Sequence, residues 1–159
     1  MAKKQNESIS NATLTLLDYV SSEYINQSSL EYAISTLDRA IPGIDGLKAS
    51  QRKAIFTISK VSGEIKTVSA AGRMISDGIY LHGDASASGT LQNLASPVVN
   101  NYPLIGKRGG FGNQANPEPA SARYTYVKKT KVTEALVLRD MDVVPMQENY
   151  DVTTMEPRH

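Results

Sequence analysis

Arg123 directly precedes Tyr124 within Ser121-Ala122-Arg123-Tyr124-Thr125, and this pair is the part of the chain best equipped for chemistry. A guanidinium fork suits a phosphate oxygen, and a phenolic oxygen beside a held phosphate is placed to attack phosphorus. That is the minimum equipment for breaking a DNA backbone through a phosphotyrosine link. A free phenol ionises only near pH ~10, so the tyrosine needs a cation or a metal beside it, and Arg123 is the adjacent cation. Without context the same tyrosine is an ordinary half-buried strand residue, because the segment alternates from Arg123 to Val132. Strand neighbours point to opposite faces. Both side chains could therefore serve one phosphate only from an irregular backbone, which Pro119 and the glycines upstream favour. Tyr126 is the competing nucleophile.

Two upstream segments carry further candidates. His82 in Leu81-His82-Gly83-Asp84 stands at the mouth of a predicted helix. It reads either as a polar surface or capping residue or as a hydrogen-bonding partner of a phosphate or a leaving sugar oxygen. Asp84 and Ser86 read equally well as helix caps. The run from Ile105 to Gln114, Ile-Gly-Lys-Arg-Gly-Gly-Phe-Gly-Asn-Gln, has the glycine density of a loop whose backbone approaches something closely, with Lys107 and Arg108 flanking it. It lacks the Gly-Lys-Ser/Thr ending of a nucleotide-binding loop. No histidines or carboxylates sit at metal-ligand spacing, so no metal site is expected in this chain. There is no cysteine, which excludes disulfides, thiolate metal sites and cysteine nucleophiles.

The elements that must position these residues read as an α+β chain, mainly helical. Residues 1–12 are polar, and an amphipathic stretch begins at Leu14 through Val20. Ser28-Ser29 offers an N-cap for a helix that Pro42-Gly43 stops. Asp45-Gly46 is a turn, followed by a helix from Ala49 to Val61 with Ile55, Phe56 and Ile58 inward and Lys48, Arg52 and Lys53 on the other face. Helices over Thr67–Ser76 and Ser86–Leu94, joined by a glycine-containing connection, resemble a helix-turn-helix. Pro97 to Pro119 reads as an ordered loop anchored by Tyr102 and Phe111. Alternation in Arg123–Val132 and Ala135–Val144 predicts strands.

The 159 residues suit one domain, with 40% hydrophobic and 21% charged residues. No apolar run approaches the ~20 residues that span a bilayer, and the start carries no signal peptide, so a cytoplasmic protein without a membrane partner is expected. The formal net charge of +1 decides nothing about nucleic acid. Its distribution is more telling: Lys48, Arg52, Lys53, Lys60, Lys66 and Arg73 form one basic cluster, and Lys107, Arg108, Arg123, Lys128, Lys129 and Lys131 a second.

Several segments, taken in order, resemble the A-type (breakage-reunion) subunit of type IIA DNA topoisomerases. The block from Arg39-Ala40-Ile41-Pro42 through Asp45-Gly46-Leu47-Lys48 to Arg52-Lys53 resembles the family's opening motif. Ala70-Ala71-Gly72-Arg73 through His82-Gly83-Asp84 resembles the helix leading into its histidine-glycine-aspartate turn. Asn101-Tyr102-Pro103-Leu104 with Gly110-Phe111-Gly112-Asn113 resembles its tyrosine-proline-leucine and glycine-rich loop, and Ala120 to Thr125 its catalytic arginine-tyrosine segment. The match spans about residues 28 to 127. Within the family it is most similar to the medium-subunit form of large tailed bacteriophages, which would place it in a host cytoplasm.

The resemblance implies a winged-helix, CAP-like DNA-binding domain over residues 28–145 behind an N-terminal helical arm over 1–27. Tyr124 would form a 5′-phosphotyrosyl link, with Arg123 and His82 assisting at the same phosphate. Arg39, Lys48, Arg52 and Lys53, with Arg73, Lys107 and Arg108, would hold double-stranded DNA. Mg²⁺ and ATP would be bound by a partner ATPase/TOPRIM subunit, in a two-fold self-associated complex. Residues 146–159 would begin a connection to a tower domain, so the piece is expected to be inactive alone. Tyr80-Leu81-His82 departs from the family's histidine-x-histidine, the family's glutamine ahead of the glycine loop is replaced around Arg108, and Ala85 and Gly89 stand at quinolone-pocket positions, implying poor fluoroquinolone sensitivity. The alternative is a winged-helix module that binds DNA without cutting it.

Overall fold

The computed structural model of the chain describes residues 21–149 and 151–158. The amphipathic stretch expected over Leu14–Val20 lies outside them. The first described element is α1, Ser21–Ala40, with no buried residue. It runs unbroken through Ser28-Ser29, so the N-cap expected there is not used; serines inside a helix cost too little to interrupt it. Its end at Ala40, before Pro42-Gly43, is as expected. α1 belongs to a unit that closes at Ala40, and the chain from Ile41 onward forms a second unit. The helix thus crosses the boundary drawn at residue 28.

In the second unit the order is α2 (Ala49–Ser59), β1 (Glu64–Lys66), α3 (Thr67–Ser76), α4 (Asp84–Ala95), β2 (Ile105–Arg108), β3 (Tyr126–Lys129), α5 (Lys131–Leu136), β4 (Met146–Glu148) and β5 (Met155–Pro157). Helix predominates, with small sheets, which matches the α+β expectation. β3 is the central strand of an antiparallel sheet ordered β1-β3-β2. Ile65 pairs with Val127 and Lys107 with Val127, whereas Glu64 and Gly106 flank Lys128. That register turns Val127 inward and leaves Lys128 exposed.

The core lies between the three helices and this sheet. α2 gives Ala54, Ile55 and Ile58; α3 gives Ala70, Ala71 and Met74; α4 gives Ala87, Leu91, Leu94 and Ala95; Ile105, Phe111 and Val127 close it. The i, i+4, i+7, i+8 spacing on α4 makes one apolar stripe, and the alanines of α3 and α4 let their backbones approach. Each fully buried large side chain such as Ile55 or Leu91 stabilises the fold by about 1.5–3 kcal/mol.

One expectation for this unit needs correction. Residues 135–144 are not a strand. Thr130 caps α5, its hydroxyl accepting from the Thr133 N–H at 3.1 Å, and turns follow through Asp140 and Val143. Residues 146–158, where a connection to a further domain is expected to begin, are themselves structured. β4 and β5 pair as a hairpin, and Asn149 Nδ2 donates to the Gly78 carbonyl at 3.1 Å, which fastens the hairpin to the end of α3.

Candidate functional site

Tyr124 lies outside the sheet. The regular strand starts only at Tyr126, and Arg123 and Tyr124 occupy the turn before it, closed by the Tyr124 N–H donating to the Ser121 carbonyl at 2.8 Å. The strand expected from Arg123 is therefore shorter, and the irregular backbone that would let both side chains share one phosphate is present. Tyr124 is 70% exposed, and Arg123 is exposed too. Tyr126 is differently placed: half-buried in β3, its ring lies 3.7 Å below the Arg108 guanidinium.

The turn is held from beneath. The Thr67 N–H donates to the Thr125 carbonyl at 3.0 Å and the Val68 N–H to the Ala122 carbonyl at 3.2 Å. These are donors that the first turn of a helix cannot satisfy internally, and Lys66 at the N-cap offers no side-chain cap. The Thr125 hydroxyl donates to Thr67 Oγ1 at 2.8 Å, both threonines being buried. From α4, Gln92 Nε2 donates to the Ala120 carbonyl at 2.7 Å and reaches Thr125 Oγ1 at 3.4 Å. Sequence reading passed over Thr67, Gln92 and Thr125. Their signal was faint: a polar residue interrupting an apolar helical stripe at Leu91-Gln92-Asn93-Leu94.

The glycine-rich loop backs the same turn. Gly109, at φ +105, packs against it so closely that a Cβ would lie 2.8 Å from the Tyr124 carbonyl oxygen. Gly112, at φ +80, has the Pro117 carbonyl where its Cβ would be. The Ala120 N–H donates to the Gly110 carbonyl at 3.0 Å, and Asn113 Oδ1 accepts from the Ala115 and Asn116 N–H groups. The loop is thus ordered by its own bonds, and it opens on a polar cleft lined by Lys107, Gly110, Asn113 and Glu118.

His82 is exposed in the bend that leads into α4. Its ring stands edge-on to Tyr80, centroids 5.4 Å apart, while the buried Tyr80 hydroxyl bonds Ser86 Oγ at 2.8 Å. Gly83, rather than Asp84 or Ser86, occupies the N-cap. The Asp84 carboxylate accepts from the Ala85 N–H. α4 rises about 12 Å between Asp84 and Gln92, and no hydrogen bond or ring contact joins His82 to Arg123 or Tyr124 among the described residues. His82 precedes the first turn of α4, whereas Gln92 near the far end of that helix holds the turn that carries Arg123 and Tyr124.

The expected DNA-binding cations divide into two groups. Lys48, Arg73, Lys107 and Arg123 are not paired with any carboxylate among the described residues, and all four are exposed to solvent. Arg52, by contrast, grips Asp45 with Nε to Oδ2 at 2.6 Å and Nη2 to Oδ1 at 2.8 Å, and donates to the Leu47 carbonyl at 3.1 Å. Lys53 pairs at 3.0 Å with Glu156, a carboxylate only 5% exposed. Arg108 pairs with Glu64 at 2.6 Å, and that bond raises its already high pKa. Arg39 lies on α1, its guanidinium donating to the Ser35 carbonyl and Thr36 Oγ1.

Among the described residues no group of three or more His, Cys, Asp or Glu side chains gathers as a metal site. No helix there is long and apolar enough to cross a membrane.

The chain thus carries an exposed arginine–tyrosine turn seated on the start of α3, beside a glycine-rich loop. Comparison with known proteins gives its class. The profile of the A subunits of DNA gyrase and topoisomerase IV matches residues 39–159. The chain is 33% identical over 142 residues to the DNA gyrase A subunit of Haemophilus influenzae, covering 85% of this chain and 16% of that protein. It is 35% identical over 140 residues to the DNA gyrase A subunit of Borreliella burgdorferi, covering 84% and 17% respectively. DNA topoisomerase 2 of Arabidopsis thaliana is 32% identical over 143 residues, which are 86% of this chain and 10% of that protein. The chain belongs to the family of DNA gyrase and topoisomerase IV A subunits. It spans about a sixth of the length of the bacterial relatives it matches.

Proposed function

We propose that this chain is the DNA breakage-reunion part of a type II topoisomerase, and that Tyr124 is its nucleophile. The observation that carries the reading is the exposed tyrosine, with Arg123 before it, on a turn fixed to α3 and α4. In the proposed reaction Tyr124 Oη loses its proton and forms a bond to a backbone phosphorus. The bond to the 3′ oxygen breaks, and that oxygen leaves as a hydroxyl once protonated. The 5′ end stays on the tyrosine as a phosphodiester, so attack by the 3′ hydroxyl reverses the step and reseals the strand. Arg123 stabilises the charge that builds on the non-bridging oxygens, a term that often dominates such transfers. His82 serves the same phosphate or the leaving oxygen once DNA is bound.

The order helix, strand, helix, helix, strand, loop, strand supports a winged-helix assignment, with α2–α4 as the helices and residues 109–125 as the wing. Lys48, Arg73 and Lys107 are the proposed backbone contacts, with Arg39 on the arm. Arg52, Lys53 and Arg108 would reach DNA only by leaving their carboxylate partners. Among the described residues no group of three or more acidic or histidine side chains gathers to hold Mg²⁺; in this proposal the ion and ATP belong to a partner ATPase/TOPRIM subunit, and no step here runs through them. Double-stranded DNA, that partner, a second copy and a cytoplasmic setting complete the proposal.

The test combines the chain with the remaining parts of the enzyme, Mg²⁺ and radiolabelled plasmid, and traps the mixture with detergent. Protein-linked DNA is expected from the wild type and absent from Tyr124→Phe, with DNA affinity unchanged in the variant. One observation favours a second reading, a module that binds without cutting. No base is hydrogen-bonded to the Tyr124 hydroxyl among the described residues. That reading predicts salt-dependent binding and no adduct from either protein.

A further inference from the structure

The tyrosine turn is tied to the body of the unit on both sides, and one side chain reaches both ends. Gln92 is 9% exposed, on the face of α4 that also buries Leu91 and Ala95. An apolar residue would suit that face, and burying an amide without partners costs about 1–3 kcal/mol. The amide nitrogen is directed at the Ala120 carbonyl before the turn and at the Thr125 hydroxyl after it. The Thr125 hydroxyl in turn donates to Thr67 Oγ1 on α3. Between the tethered ends, Arg123 and Tyr124 are exposed.

We infer that Gln92, acting through Ala120 and the Thr125–Thr67 hydroxyl pair, is a positioning residue that sets the Arg123–Tyr124 turn against the DNA phosphate. The inference rests on the breakage-reunion reading. Its physical basis is geometric. The nucleophile sits on a turn, whose backbone is softer than a helix or strand, and in-line attack tolerates little displacement. The glutamine joins the turn to α4, the helix that His82 directly precedes, so one rigid element links the placement of both groups. Neither Gln92 nor Thr125 touches DNA in this scheme, and the exposed cations that would bind it are untouched by changes at either position.

Three substitutions test this in the assembled enzyme with Mg²⁺: Gln92→Leu, Thr125→Val and Thr125→Ser. The cleavage rate at saturating DNA is measured beside DNA affinity and thermal melting. Misplacement of a reacting group by about 1 Å costs on the order of 100-fold in rate, so Gln92→Leu and Thr125→Val are expected to cleave about 10- to 100-fold more slowly with unchanged affinity. Thr125→Ser keeps the hydroxyl and should recover most of the rate. Folded Gln92→Leu and Thr125→Val proteins that cleave at the wild-type rate overturn the inference. So does a loss of affinity that accounts for the slower cleavage, or the absence of a melting transition in both, which would make the network a folding device. A wild-type assembly that binds DNA and forms no adduct overturns the breakage-reunion reading itself, and this inference with it.

Discussion

Arg52 and Asp45 show how a surface cation can already be committed before any ligand arrives. The fork of Arg52 is closed on both carboxylate oxygens of Asp45, and Asp45 Oδ1 also accepts from the Leu47 N–H at 3.0 Å, so the pair shapes the turn that begins α2. The Arg52 hydrogen bond is the main reason the Asp45 carboxyl lies below its ordinary value of 3.8, with the Leu47 N–H adding to it against partial burial. A carboxyl whose folded pKa is lowered adds stability that is complete above the ordinary value and is lost as pH falls through the lowered one. Asp45→Asn should therefore destabilise by about 1–2 kcal/mol at neutral pH, as for a partly exposed, charge-assisted hydrogen bond. Urea melts over a pH series should show the gap from wild type closing below pH 3.8. A gap of constant size would mean that shape, not charge, holds the turn.

The glycine loop between β2 and β3 sets where the tyrosine turn can lie. At Gly112 the backbone is left-handed and a side chain would collide with the Pro117 carbonyl, a rigid neighbour rather than a flexible one. Gly112→Ala should destabilise by about 2 kcal/mol or more, read from denaturant midpoints, and should slow the proposed cleavage as the loop shifts beneath Tyr124. The need for glycine here was legible from composition, and so were the helices: the span Thr67–Ser76 matches α3 end for end. The short strands were not legible. β1, Glu-Ile-Lys, and β2, Ile-Gly-Lys-Arg, each present a single inward apolar residue, too few for alternation to register. Alternation over 135–144 pointed the wrong way because a six-residue helix with a threonine cap needs little periodicity to form.

At the scale of the folded unit, the β4–β5 hairpin closes back onto elements far away in sequence. Lys53 on α2 meets Glu156 on β5, Gln147 Nε2 supports the same carboxylate at 3.2 Å, and Asn149 and Thr154 donate to the carbonyls of Gly78 and Asp77. Glu156 is buried and Lys53 is 24% exposed, so Lys53→Ala would leave a carboxylate enclosed with its main countercharge gone. Breaking a fully buried pair costs about 3–5 kcal/mol; the partial exposure of Lys53 lowers the expectation to about 2–3 kcal/mol. Pairing Lys53→Met with Glu156→Leu should recover most of it, since well-packed apolar groups can replace a buried ion pair. Denaturation of the single and double variants checks both statements.

From sequence alone came the family-like order of motifs, the arginine–tyrosine pair, the glycine loop and the principal helices, because these depend on residue type and local spacing. Only the tertiary structure decided which tyrosine is exposed, which cations are free and what fastens the turn. Tyr124 and Tyr126 are two residues apart and chemically identical, and what separates them is a strand register and an arginine from the neighbouring strand. Lys48 and Lys53 are alike near one helix start, and what separates them is a glutamate more than a hundred residues later. Local physics sets what a segment can become, whereas partners brought together by folding set which of its groups remain available.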